Sequence, residues 1–159
     1  MKEKYFSLFN QVEAIVDPSL PLVSNLSNIA SILFTLDDIN WAGFYLSNGE
    51  YLYLGPFQGG VSCVHIKLGK GVCGESAQNR ETMIVADVTK HANYIACDSA
   101  AMSEIVVPMV KDGKLVGVLD LDSRLTDDYD AIDQEYLEKF VAVLIEKSYW
   151  NLDMFGVEK

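Results

Sequence analysis

Two kinds of chemically capable side chain stand out in this sequence: three thiols and a set of acids on strand-like segments. The cysteines are Cys63, Cys73 and Cys97. Their number is odd and no secretory leader accompanies them. A structural disulfide framework is therefore not expected, and the two readings are reactive thiols or small buried hydrophobes. In the segment 115–122, alternation puts Leu115, Gly117, Leu119 and Leu121 on one face and Val116, Val118, Asp120 and Asp122 on the other. Two carboxylates then point the same way, about 6.6 Å apart at two residues' rise. A solvated strand end is the plain account. Against it, the acid-bearing face begins with Val116 and Val118. Carboxylates at the rim of an apolar pocket hold their protons more tightly and act as acids or bind an ammonium group. Glu104 shares a face with Val106 and Pro108, opposite Ile105, Val107 and Met109. Brought close to Asp120 and Asp122, it would raise their proton affinity and its own further.

Trp41, Gly43 and Tyr45 alternate onto one strand face, with the glycine leaving a gap between two aromatic rings. Core packing is the commoner fate of such rings; a grip on a methyl-sulfur group or a cation is the functional one. The run Gly69-Lys70-Gly71-Val72-Cys73-Gly74 matches G-x-G-x-x-G between a strand-like segment (63–68) and a short helix. The surrounding hairpins are not βαβ units, so a dinucleotide site is not expected. Glycines there let the backbone approach a ligand, and amides at a helix start can hold a carboxylate. His65 lies two residues from Cys63 and His91 six from Cys97, but no C-x-x-C or H-x-x-x-H spacing occurs. Structural zinc, and a metal centre generally, is not expected.

The elements that must position these residues can be read from periodicity. Tyr5, Leu8, Phe9, Val12, Ile15 and Val16 define a helix over 2–16, broken at Asp17-Pro18. Leu22, Leu26, Ile29, Ile32, Leu33 and Leu36 mark a second, so residues 1–36 form N-terminal helices. The period then shortens. Strands are expected at 41–46 and 51–54 around a tight Asn48-Gly49 turn, and at 103–110 and 114–122 around Asp112-Gly113. A last helix is expected over 131–149, with Ile132, Tyr136, Phe140, Val141, Leu144 and Ile145 inward and Asp127, Asp128 and Asp130 near its positive end. This is α+β architecture in one domain over 1–159. Residues 41–122 form an antiparallel sheet with active-site loops, helices cover one face, and a loop-rich pocket lies on the other.

Composition narrows the partners. The chain has 159 residues, 50% hydrophobic and 22% charged, with net charge −11. That is the balance of a globular domain, and its field repels phosphate backbones and anionic lipid. Nucleic acid and membrane are not expected partners. No apolar run approaches the roughly 18 residues of a spanning helix, and the start MKEKYFSLFNQVEAIV lacks a signal peptide's apolar block, so a cytoplasmic location is expected.

Several segments taken together resemble one family: NWAGFYL (40–46), LGPFQGG (54–60), CVHI (63–66), GKGVCGESA (69–77), HANYIACDSAAMSEIVVP (91–108) and GVLDLDS (117–123). Their order and spacing are similar to the free methionine-R-sulfoxide reductases of the GAF-domain type. The resemblance implies a GAF-like fold and an oxidoreductase, active in oxidative stress, that needs no cofactor. It implies that Cys97 is the nucleophile, that Cys63 closes a redox disulfide with it, and that Cys73 is auxiliary. Glu104, Asp120 and Asp122 would bind substrate and assist catalysis, and Trp41 and Tyr45 would line the side-chain pocket. Thiolate attack on the electrophilic sulfur, with an acid protonating the oxygen, gives methionine and a sulfenic acid; Cys63 then yields a disulfide that thioredoxin or a similar dithiol reopens. Asp98, directly after Cys97, and the three acids oppose a thiolate. At least one acid is therefore expected to carry a proton, with Glu104 as the donor. The family's pairing through terminal helices leaves a homodimer open. A non-enzymatic GAF small-ligand or redox sensor is the alternative, since fold does not fix function.

Overall fold

Helical spacing of apolar residues produces α1 (Lys4–Ile15) and α2 (Leu22–Leu33), with Tyr5 and Val12 of the first and Leu22, Leu26, Ile29 and Leu33 of the second buried. The chain extends at Val16, ahead of Asp17-Pro18. Buried Asn25 holds that break in place. Its side chain accepts from the Asp17 amide and donates to the Asp17 carbonyl and the Ser148 hydroxyl. These details come from a computed structural model that describes residues 3–97 and 100–157.

Six strands follow: β1 (Ile39–Ser47), β2 (Tyr51–Gly59), β3 (His65–Lys67), β4 (Met83–Val85), β5 (Ser103–Lys111) and β6 (Lys114–Ser123). They form one sheet in the order β3-β2-β1-β6-β5-β4, with antiparallel pairing throughout. A helix, α3 (Gly71–Asn79), lies between β3 and β4, and α4 (Ala131–Lys147) follows the sheet. Asp112 and Gly113 both take positive φ, as the expected tight hairpin requires. Asn48-Gly49 differs. Three residues join β1 to β2, only Gly49 has positive φ, and the Asn48 side chain accepts from the amides of Glu50 and Tyr51. The asparagine thus closes the turn with its side chain rather than its backbone.

Two apolar layers flank the sheet. Residues of α1, α2 and α4 pack with Ala42, Phe44, Leu46, Ile105, Val107, Leu119 and Leu121. On the other side, Trp41, Tyr45, Val106 and Val118 pack with Val72, Cys73 and Ala77 of α3. The helix-covered face is as expected, but α3 also covers part of the opposite face. The expected alternation along 115–122 fails at its start: Leu115 packs on the α3 side and Val116 with the other helices. Pairing shifts there, Met109 facing Gly117 and Val110 facing Leu115, so Val116 is a bulge residue that inverts the phase. From Val118 onward the phase agrees with expectation. The last helix ends at Lys147 rather than 149, before a 3-10 turn at Leu152–Phe155.

Asp130 and Asp133 start α4 with a capping box, each side chain accepting from the other's amide. The Tyr5 hydroxyl donates to Asp133 at 2.6 Å, and the Tyr5 and Tyr136 rings stack at 5.0 Å. A buried phenol or carboxylate without a partner costs several kcal/mol, so the pair decides how α1 docks on α4. Asp133→Ala is expected to lower stability by about 2–4 kcal/mol through the lost cap and the orphaned phenol. Urea unfolding checks this as a lower midpoint at unchanged slope.

Candidate functional site

Register brings the acids together. Glu104 of β5 pairs with Asp122 of β6, and Val106 pairs with Asp120. On the other side of β6, Asp122 faces Trp41 and Asp120 faces Gly43. All three acids are buried, with 5–7% of their surface exposed. Residues directly opposite in an antiparallel pair hold their Cβ atoms about 5 Å apart, so two ionised carboxylates there would repel strongly. α3 adds Cys73, whose thiol lies 3.8 Å from the Glu104 carboxylate.

The Glu104 carboxyl sits well above the ordinary carboxylate range. Burial is the chief cause, followed by the charge of Asp120 and a hydrogen bond shared with it; bonds with Asp122 and Cys73 oppose the shift. The Cys73 thiol is likewise pushed up, by burial first and then by Asp120, Glu104 and Asp122. The Tyr45 phenol is pushed up by burial and then by Cys73, so it stays protonated. Cys73, Glu104 and Asp120 each bring one donor atom within 4.8 Å of the others. Such a trio could surround a cation, an arrangement the His and Cys spacings did not reveal. Burial of the three side by side also raises the proton affinity of Glu104 and Cys73.

Cys63 and Cys97 form a disulfide across 34 residues, with Cα atoms 5.2 Å apart, and Cys73 is the free, buried thiol. Cys63 precedes β3, which is shorter than the expected strand at 63–68. Its loop is held by two aromatic side chains of β1. The Tyr45 phenol donates to the Cys63 carbonyl at 3.1 Å and accepts from Ser62 at 2.9 Å. The Trp41 indole donates to the Gly60 carbonyl at 3.1 Å. No gap separates these rings: Trp41 stacks on Tyr45 at 5.9 Å and on Phe57 at 5.3 Å. A side chain at position 43 would strike Phe57 and the Trp41 ring, so Gly43 permits close packing rather than an opening.

A cavity of about 20 Å³ lies between these groups, room for about one water. Tyr45, Cys73, Cys97, Glu104, Asp120 and Asp122 line it; Trp41 does not. Ser62, Lys70, Tyr94 and Ile95 also line it and were missed from sequence, because each lies in a loop without periodicity. Gly71, with φ of 63°, starts α3 at the cavity wall, and Ile95 packs against its backbone. The G-x-G-x-x-G run is thus a helix start beside the acids. His65 packs near Tyr51 and Tyr53, and His91 bonds Glu75, both away from the acid cluster. Asp98 lies outside the described residues.

The GAF domain family matches residues 21–147. The free methionine-R-sulfoxide reductase of Saccharomyces cerevisiae is 48% identical over 145 residues, covering 86% of this chain and 80% of that protein. The X-ray structure of free methionine-R-sulfoxide reductase from Neisseria meningitidis in complex with its substrate superposes with a TM-score of 0.88 at 38% identity, covering 92% of this chain and 89% of that one. The reduced form of fRMsr of Staphylococcus aureus gives 0.86 at 45% identity, covering 90% and 94%.

The raised Glu104 group carries a stability consequence. The folded state keeps a proton that the unfolded chain releases near the usual value of about 4.3. Its contribution is full below that pH and is lost as pH rises through the folded-state value. Glu104→Gln, which is neutral at every pH, is expected to melt above the wild type at pH 8. The difference should close toward pH 4 in a series of thermal melts.

Proposed function

The chain belongs to the GAF domain family and, within it, to the free methionine-R-sulfoxide reductases, and from that membership and the acid–thiol pocket we propose that it reduces free methionine-R-sulfoxide to methionine. The observation that carries this reading is Cys97, disulfide-bonded to Cys63, at the wall of a cavity that three buried acids also line. A small-ligand sensor needs a pocket; it does not need a redox pair beside a held proton.

Cys97 is the nucleophile. Its thiolate attacks the sulfoxide sulfur as Glu104, held protonated by its burial, delivers a proton to the departing oxygen. Methionine leaves, and Cys97 carries the oxygen as a sulfenic acid. The Cys63 thiol then attacks the Cys97 sulfur, forming the disulfide and releasing water. Thioredoxin or a similar dithiol reopens it by exchange. Cys73 suits neither attacking role, because its raised thiol is protonated at neutral pH. It stays beside Glu104 as a polarisable wall for the methyl-sulfur group. Lys70, at the cavity edge, is the positive group among the described lining residues that favours a Cys97 thiolate.

Free amino acid selectivity follows from charge. Asp120 and Asp122 receive the substrate ammonium, and the amides at the start of α3 receive its carboxylate. Tyr45 shapes the side-chain end, with Trp41 supporting it from behind. The family's pairing through terminal helices extends the reading to a homodimer. No helix among the described residues is long and apolar enough to cross a membrane, and action in the cytoplasm is part of the same proposal.

The test is thioredoxin-coupled NADPH oxidation with each epimer of free methionine sulfoxide. Turnover of the R epimer is expected, abolished in Cys97→Ser and lost for the N-acetylated substrate. Glu104→Gln should lower kcat by about 10²–10⁴ and remove the high-pH limb of the rate profile. No turnover of either epimer by folded, reduced protein would transfer the case to a ligand or redox sensor.

The disulfide form adds a kinetic expectation. With the disulfide closed Cys97 has no free thiolate, so the dithiol must act before the next sulfoxide can react. Initial rates with both substrates varied should give the parallel double-reciprocal lines of a ping-pong order; intersecting lines would contradict it.

A further inference from the structure

We infer that Glu75, which lines no part of the cavity, positions Cys97 by latching the loop that carries it to helix α3. Residues 91–97 run from a 3-10 turn at Val88–Lys90 to the disulfide, and form no helix or strand of their own. Such a segment needs anchors if one sulfur is to be held beside another. The Glu75 carboxylate, on α3, supplies them. Its Oε1 lies 2.7 Å from His91 Nε2 and accepts from Asn93 Nδ2 at 3.0 Å. The second hydrogen of the same Asn93 amide goes to the Gly69 carbonyl at 2.8 Å. Ile95 then packs on the Gly71 backbone.

The latch thus joins the loop to the segment that starts α3 and carries Cys73. Both His91 and Glu75 side chains are about four-fifths covered, at 21% and 23% exposed, which makes these bonds worth more than fully solvated ones. Three side-chain bonds and one apolar contact fall within five residues, ending two residues before Cys97. None of the three latch residues is among those that line the cavity. Their effect is to limit where the Cys97 sulfur can travel, and so to raise the effective concentration of Cys63 toward it.

This role rests on the proposed reaction only in naming Cys97 as nucleophile. Its test reads the thiol pair itself. Reduced protein is equilibrated with glutathione: one oxidised glutathione takes two electrons from the Cys63–Cys97 dithiol, giving the protein disulfide and two reduced glutathiones. The equilibrium constant measures the effective concentration directly. Glu75→Ala and Asn93→Ala are each expected to lower it about tenfold, and the double variant should fall by clearly less than the product of the two losses, because the Asn93–Glu75 bond is common to both. Circular dichroism of each reduced variant establishes that it folds; if Glu75→Ala does not, Asn93→Ala carries the test. A wild-type constant in the folded single variants, or losses that add in the double variant, would overturn the latch. A shifted constant in a protein without sulfoxide turnover would keep the latch and defeat the enzyme reading instead.

Discussion

Three carboxylates buried against one another and against a thiol cannot all be charged, and the remainder of this molecule is arranged around that constraint. Opposed ions about 5 Å apart in a medium poorer than water repel by several kcal/mol. A retained proton removes most of that repulsion, and Glu104 is where burial and the Asp120 charge place it. The proton is held there by the fold before any substrate arrives. An acid that holds its proton more tightly than usual is what a leaving oxygen requires, so a cost in folding stability becomes a source of reactivity.

Rigid strands hold the acids, and loops hold the redox cysteines. β6 lies between β1 and β5 at the sheet's centre, so Asp120 and Asp122 have a paired strand on either side. Cys63 and Cys97 lie on connections outside the strands and helices, where movement is cheap. Each loop is tied back by a different device. Tyr45 and Trp41 reach from β1 to carbonyls of the Cys63 loop. Glu75 reaches from α3 to the Cys97 loop. One sulfur is therefore referenced to the sheet and the other to the helix covering it. The disulfide closes the gap between them.

Much of this was legible in the sequence where a period or a turn residue carried it. Alternation placed Asp120 and Asp122 on one face of their strand and Glu104 with Val106 on a face of its own, register brought the two faces together, and Asp112-Gly113 marked its hairpin. The phase error at Leu115 and Val116 arose because a bulge leaves no mark in a pattern of apolar residues. β4, three residues long, is too short to show a period. The gap expected at Gly43 is filled because a missing side chain also admits its neighbours' rings. The cysteine pairing came from resemblance alone: three thiols allow three pairings, and a separation of 34 residues selects none of them. Glu75, His91 and Asn93 were silent because their meeting depends on tertiary structure that brings residues 16 and 18 apart into contact.

On the proposed reaction, the cavity and the latched loop seen with the disulfide closed belong to one of two states. With the disulfide closed, Cys97, Ile95 and Tyr94 complete a wall around space for about one water. In the proposed reaction the bond and the substrate compete for the Cys97 sulfur. On that reading, oxidation of the pair removes the nucleophile, and reduction restores it. The latch must then be strong enough to bring the sulfurs together yet weak enough to yield when an amino acid enters. Hydrogen bonds of roughly a kcal/mol each, partly exposed, meet that requirement in a way a buried apolar anchor would not. The loop's polar attachment is thus the counterpart of the sheet's rigidity: the acids need a fixed place, and the thiols need a place they can leave.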